Sequence, residues 1–293
     1  MKAKSLLSLI AMTMITLPLF AQGKLSEEEL KSTAEKMEND WRFGRSIVRW
    51  LEDDGTFERY LETAPMRCPD ELEQVLEMVE PSYQEALQIL RLEKQVYRKP
   101  GARKWEASLA GYFQDTEVAK ERIAAAHKTV EMYEKMEKRL PAMIKDMRSR
   151  TYRIPQGDLV SYSFYMGGGM VRRPSTHGEV QRQKDGSYVA SLDTRSFDKL
   201  DTFTLTKEQV DTIRKMLIDG EVYKMPRYYD TPVLLLDGPG SSVSVEFTDG
   251  SYSCSSTPPD EWGGKNVFAV YNYLRGLHPL PEPTEEERQN WGY

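Results

Sequence analysis

The chain has 293 residues, with 46 acidic side chains against 40 basic ones and a formal net charge of −6. That mild acidity, without any basic block, argues against nucleic acid as the main partner, because binding to phosphates is chiefly electrostatic. Its two cysteines, Cys68 and Cys254, stand at metal-ligand spacing neither to each other nor to a histidine, so no metal and no cofactor is expected.

Residues 1–21 have the order of a cleavable secretory signal. Lys2 and Lys4 form a positive head, Leu6 to Leu17 is apolar apart from Ser8, Thr13 and Thr16, and Pro18 precedes Leu19-Phe20-Ala21 at a cut before Gln22. A membrane anchor is the weaker alternative, since the run falls short of the roughly 18–20 residues needed to span a bilayer. No cysteine lies at the cut to carry a lipid, and no later stretch is apolar enough to span. The expected location is therefore extracytoplasmic, periplasmic or secreted. Loss of Lys2 and Lys4 leaves 38 basic against 46 acidic residues, a net charge of −8. In an oxidising compartment Cys68 and Cys254 could be bridged, or could remain two separate buried thiols.

Residues 22–150 are helical by pattern. Ser26 and Glu29 form a capping box with Leu25 and Leu30 as its staple, and Leu30, Ala34, Met37, Trp41, Val48 and Leu51 continue one stripe to Asp53-Asp54-Gly55. A second helix is expected from Pro69 to Glu80, and a third from a Ser82/Glu85 capping box to Lys99, stopped by Pro100-Gly101. A short segment holds Trp105, Leu109, Tyr112 and Phe113. Asp115 is placed to cap the longest helix, whose stripe is Ala126, Val130, Tyr133, Met136, Leu140, Met143 and Met147, with Pro141 expected to kink or split it. Together these predict an all-α bundle, its stripes packing within the chain rather than forming a partner groove or a coiled-coil dimer.

At Thr151 the pattern changes to strands. Leu159 to Met166 is one; Gly178 to Lys184 and Ser187 to Leu192 flank the turn pair Asp185-Gly186; Ser242 to Thr248 and Ser251 to Ser256 flank Asp249-Gly250. Between the hairpins, Thr206 and Gln209 cap a helix that Gly220 stops, and a last helix runs from about Lys265 to Leu277. The fold class is therefore α+β: a helical domain over 22–150, then an antiparallel-sheet domain with two helices over 151–278. Residues 279–293 form an extended charged tail, whose Trp291 and Tyr293 could pack back onto the body.

Within 155–278, the run Tyr229-Asp230-Thr231-Pro232, then Leu236-Asp237-Gly238, then a Phe-x-Asp-Gly hairpin and a Pro-rich loop, resembles domains of uncharacterised bacterial secreted proteins. The resemblance implies no activity.

Two loops could carry chemistry. Gly167-Gly168-Gly169 with Arg172 and Arg173 would suit a phosphate, sulfate or carboxylate, although the spacing matches no nucleotide fingerprint and a plain turn explains it as well. Tyr228, Tyr229, Asp230, Asp237 and Trp262 combine aromatic faces with carboxylates, as a sugar or peptide cleft requires, and Asp230 with Asp237 could act as acid and base. Turn chemistry also accounts for both aspartates. Of the three histidines, His127 lies beside an apolar stripe and His278 follows a helix end. Only His177 occupies a site-like loop, where pairing with Cys254 would give a minimal thiol nucleophile. The expected function is a secreted, non-catalytic binding or envelope-associated module for a glycan, peptide or envelope protein. The alternatives are a glycan-directed hydrolase using the 223–237 carboxylates, and a structural protein oligomerising through Met136 and Leu140 of the long helix.

Overall fold

A computed structural model describes residues 24–46, 48, 54–97, 116–167, 176–193, 200–229 and 240–279. The expected signal, residues 280–293 of the expected tail, the Trp105–Phe113 segment and the Asp115 cap lie outside these. The protein is α+β. Among the described residues four helices come first, α1 (Glu27–Asn39), α2 (Asp54–Thr63), α3 (Pro69–Leu92) and α4 (Thr116–Arg148), and a six-stranded antiparallel sheet with two further helices follows. Contacts divide the chain into two compact units, Met1–Glu58 with Val75–Arg139, and Arg59–Gln74 with Leu140–Tyr293.

In the first unit the Ser26 capping box forms as expected: Glu29 N–H donates to Ser26 Oγ at 3.3 Å and Ser26 N–H to Glu29 Oε2 at 2.7 Å. The stripe stops sooner than expected. Asp40 turns its side chain back to accept Arg42 N–H at 2.9 Å, which competes with helix continuation. Trp41 is 42% exposed, and Phe43 takes its place in the core with Ala86 and Ile89. Gly44 closes the turn at φ +74°, so near α3 that a Cβ would meet Ile89 Cδ1 at 2.3 Å. α2, which follows, had no counterpart in the sequence pattern.

The expected break at Ser82 is absent, and α3 runs through Pro81. Glu85, the anticipated capping partner, instead accepts Gly44 N–H at 3.0 Å, and Ser82 is buried. A proline in a helix interior costs about 3 kcal/mol. Continuing the helix buries Leu72, Val75 and Val79 before it and Leu87, Ile89 and Leu90 after it, each worth about 1.5–3 kcal/mol. Burial wins. The same reasoning holds for α4, which Pro141 does not split; Ala126, Val130, Tyr133, Met136, Leu140 and Met147 of its stripe are all buried. The residues after α3, Glu93–Tyr97, form a π-helical turn.

In the second unit the strands are β1 (Leu159–Gly167), β2 (Thr176–Arg182), β3 (Tyr188–Asp193), β4 (Leu200–Leu205), β5 (Gly240–Phe247) and β6 (Gly250–Cys254), in sheet order β4-β3-β2-β1-β5-β6. β1 to β4 form a meander, and α5 (Lys207–Asp219) carries the chain back across to β5. α5 and α6 (Val267–Leu277) cover one face. Tyr162, Phe164, Val180, Ala190, Leu192, Val243, Val245 and Phe247 meet Val210, Ile213, Leu217, Val267, Val270 and Leu274 there. The α5 capping box forms at 3.3 and 2.9 Å. Its stop works differently from the expectation: Gly220 has φ −80°, and Glu221 is the left-handed residue at φ 56°. Glycine is needed at 220 for space, since a Cβ would come within 2.9 Å of Asn266 Cβ.

Candidate functional site

The sheet's second face is built by alternation, interrupted by a register shift between Leu159 and Ser161 of β1. Opposite the core residues, β1 presents Ser161, Ser163 and Tyr165; β2 presents His177, Glu179 and Gln181; β5 presents Ser242, Ser244 and Glu246. The outer strands continue the pattern with Val189 and Ser191, Leu200, Thr202 and Thr204, and Ser251 and Ser253. Ser163 stands in register with both Glu179 and Ser244, so hydroxyls lie side by side across strands. These positions are exposed or half-buried, Tyr165 at 40%. None is a lysine or arginine. The Ser-x-Ser and Thr-x-Thr alternation was present in the sequence, and it is the signal that motif-based reasoning passed over.

The aromatic loop is engaged elsewhere. After α5 and the 3-10 turn Val222–Lys224, Arg227 and Tyr228 both donate their backbone N–H to Met66 O, at 2.8 and 3.1 Å. Trp262 Nε1 donates to Asp70 Oδ2 at 2.8 Å, and Asp70 Oδ1 accepts Arg148 Nη2 at 2.7 Å. Loops 223–229 and 258–262 thus close on residues 64–70 of the same unit. Tyr229 packs against the sheet core, and burial, then nearby Cys68, Glu71 and Cys254, push its phenol above the ordinary value. Ser241 Oγ accepts Thr257 N–H at 2.9 Å and tethers the loop after β6. Trp262 and the Tyr228 backbone both spend their hydrogen bonds on the chain itself, at Asp70 and Met66.

No disulfide joins Cys68 to Cys254, and both are buried. Cys68 Sγ accepts Glu71 N–H at 3.4 Å in the first turn of α3, and burial pushes its thiol up to about 12, well away from thiolate chemistry. The His177–Cys254 pairing is ruled out by topology. β2 and β6 are three strand spacings apart, about 14 Å, and His177 faces away from the core that Cys254 joins. His177 serves β2 instead: its backbone N–H donates to Asp193 Oδ1 at 3.2 Å and its ring meets Tyr165 edge-on at 6.4 Å. Asp193 Oδ1 also accepts Tyr271 O–H at 3.0 Å and lies 2.9 Å from Arg275 Nη2, latching α6 to the end of β3. Asp230, Asp237, Gly168, Arg172 and Arg173 lie outside the described residues.

Among the described residues no cluster of three metal-ligating side chains occurs, and no helix is long and apolar enough to cross a membrane. No protein-family model matches the chain, and no curated protein matches it in sequence.

Proposed function

We propose that the chain is a non-catalytic binding module that works outside the cytoplasm and meets its ligand on the hydroxyl-bearing face of the sheet. In this reading residues 1–21 are the export signal and the N-terminal helices form a bundle that serves as scaffold, supported by the apolar cluster that α1, α3 and α4 share. One observation carries the ligand assignment: six strands turn serines, threonines, Glu179, Gln181 and Glu246 outward, with Val189 and Leu200 as the aliphatic members, Tyr165 and His177 at one end, and no lysine or arginine among them. Hydroxyls both donate and accept, so such a face can match the hydroxyls of a sugar in either sense. Tyr165 supplies an apolar ring for a sugar's C–H face. The absence of cations on the face disfavours phosphorylated or otherwise anionic partners, and the small apolar content disfavours a protein partner that needs a desolvated core. The occupant is a neutral polysaccharide.

The test is binding of the chain from Gln22 onward to immobilised neutral polysaccharides. Saturable binding is expected, weakened about tenfold, or 1.4 kcal/mol, by Ser163→Arg with Ser244→Arg, which plants two long cations at the centre of the face. The reading is abandoned if glycan, peptide and envelope-protein screens show no saturable binding while turnover of any substrate depends on Asp230 or Asp237.

A further inference from the structure

The pairing register lines the outward residues of the sheet into rows that cross the strands, and one of these rows is polar from edge to edge. Thr202 of β4 stands opposite Ser191 of β3, Ser191 opposite Glu179 of β2, and Glu179 opposite Ser163 of β1. Ser163 then meets Ser244 of β5, and Ser244 meets Ser253 of β6. Each of these side chains is exposed or half-buried. With neighbouring strands about 4.8 Å apart, the row forms a track about 24 Å long.

The flanking rows differ in kind. Two residues along the strands, about 7 Å away, Tyr165 of β1 and Leu200 of β4 border the track on one side. On the other side Val189 interrupts the next row between Thr204 and Gln181. The track is thus a hydroxyl floor with apolar side chains along both borders. Sheet twist turns each strand about 20–25° from the last, so the floor winds gently across the sheet.

Building on the polysaccharide reading, we infer that the glycan this face takes is linear and extended, and that it crosses the strands along this track instead of following any one of them. In an extended chain of 1,4-linked pyranoses with equatorial linkages, each sugar advances by a distance comparable with the strand spacing of about 4.8 Å, so each sugar meets one strand. Standing on its edge, such a ribbon turns hydroxyls to the floor and its C–H faces to Tyr165 and Leu200 on one side and Val189 on the other. Glu179, the one carboxylate in the track, accepts from two neighbouring sugar hydroxyls and fixes the orientation. A coiled glycan turns away from the track after a few sugars and engages only part of it.

Titration calorimetry of the chain from Gln22 onward tests the track with two series of tri- and hexasaccharides. The extended series is β-1,4-linked glucose, mannose or N-acetylglucosamine, and the coiled series is α-1,4-linked glucose. At least one extended hexasaccharide should bind at least tenfold more tightly than its own trisaccharide and than the coiled hexasaccharide. Ser191→Ala with Ser253→Ala alters strands about 19 Å apart, which a glycan lying along one strand would not both touch. That pair should weaken the extended hexasaccharide about tenfold, yet change its trisaccharide, which fits over Glu179, Ser163 and Ser244, less than twofold. The length and shape comparisons use the unaltered chain and decide the matter should the double variant fail to fold. Equal binding of coiled and extended hexasaccharides, or a hexasaccharide indifferent to the double substitution, overturns the track and leaves the polysaccharide reading standing. So does failure of both series on a chain that still binds immobilised polysaccharide. No saturable binding to any glycan overturns both.

Discussion

In the second unit Arg67 and Glu71 are almost inaccessible, with side-chain exposures of 7% and 0%, and they meet at 2.6 Å while the Arg67 guanidinium lies over the Tyr60 ring at 4.4 Å. In the first unit, by contrast, like charges stand together: Glu137 lies beside Glu80 and Glu134, and is raised above the ordinary carboxylate range by burial and then by those neighbours. A matched pair completes itself and needs nothing from outside. Unmatched charges are answered by a proton, an ion or a ligand, so they report on what the unit meets in solution. The contrast separates a buried ion pair answered within the chain from an acidic cluster whose contribution to stability should follow pH.

The largest expected effect tests the settled pair. Arg67→Met leaves the Glu71 carboxylate buried without its cation, and should cost about 3–5 kcal/mol in urea unfolding. Arg67→Met with Glu71→Met should recover most of that loss, because an apolar pair of similar volume carries no desolvation penalty. A double variant as unstable as the single one would show that the surrounding polar groups, rather than the ion pair, set the cost.

A smaller effect compares the two units directly. Ser26→Ala and Thr206→Ala each remove the same capping bond, 3.3 Å long in both helices, and should each cost about 1 kcal/mol. Hydrogen exchange should place the first loss in α1 and the second in α5. If either substitution lowers protection across the whole chain by the same amount, the units unfold as one and the comparison fails.

The capping boxes were legible because they depend on residues three apart, and so were β1, both Asp-Gly hairpins and the last helix. What sequence could not supply was set by distant partners. Glu85 looks like a cap until Gly44, forty-one positions away, supplies its N–H. The two Asp-Gly pairs look alike, yet only Gly186 takes a positive φ; Asp249 instead accepts Gln156 and Gly157 N–H at 2.9 and 3.0 Å. β4 is short, and Leu200 outward with Asp201 inward breaks the apolar alternation at its start, leaving only Phe203 and Leu205 to mark the core face. At the candidate site, aromatic residues drew attention as ligand binders while Trp262 and the Tyr228 backbone were anchoring the chain to Asp70 and Met66. The open face was encoded in plain alternation, but only strand order gathers alternating residues from six strands into one surface.

The finest prediction uses acid titration, where the units should respond with opposite sign. Asp249 in the second unit is held below its ordinary value of 3.8, first by Gln156 N–H and then by Gly157 N–H. A depressed folded value means the stabilisation is full above the unfolded value and is lost as pH falls through the folded one. Asp249→Asn should therefore be less stable than wild type at neutral pH and converge with it only under strongly acid conditions. Glu137 in the first unit is raised above 4.5, so its charged form opposes folding and stability is gained as pH falls through the raised value. Glu137→Gln should be more stable than wild type at neutral pH, and the advantage should vanish as pH drops below about 4.5. Denaturant midpoints measured for both variants from pH 7 to pH 3 check the signs. Should Glu137→Gln prove destabilising at neutral pH, its carboxylate has a partner that outweighs Glu80 and Glu134, and the picture of unanswered like charges in the first unit would have to be withdrawn for its acidic cluster.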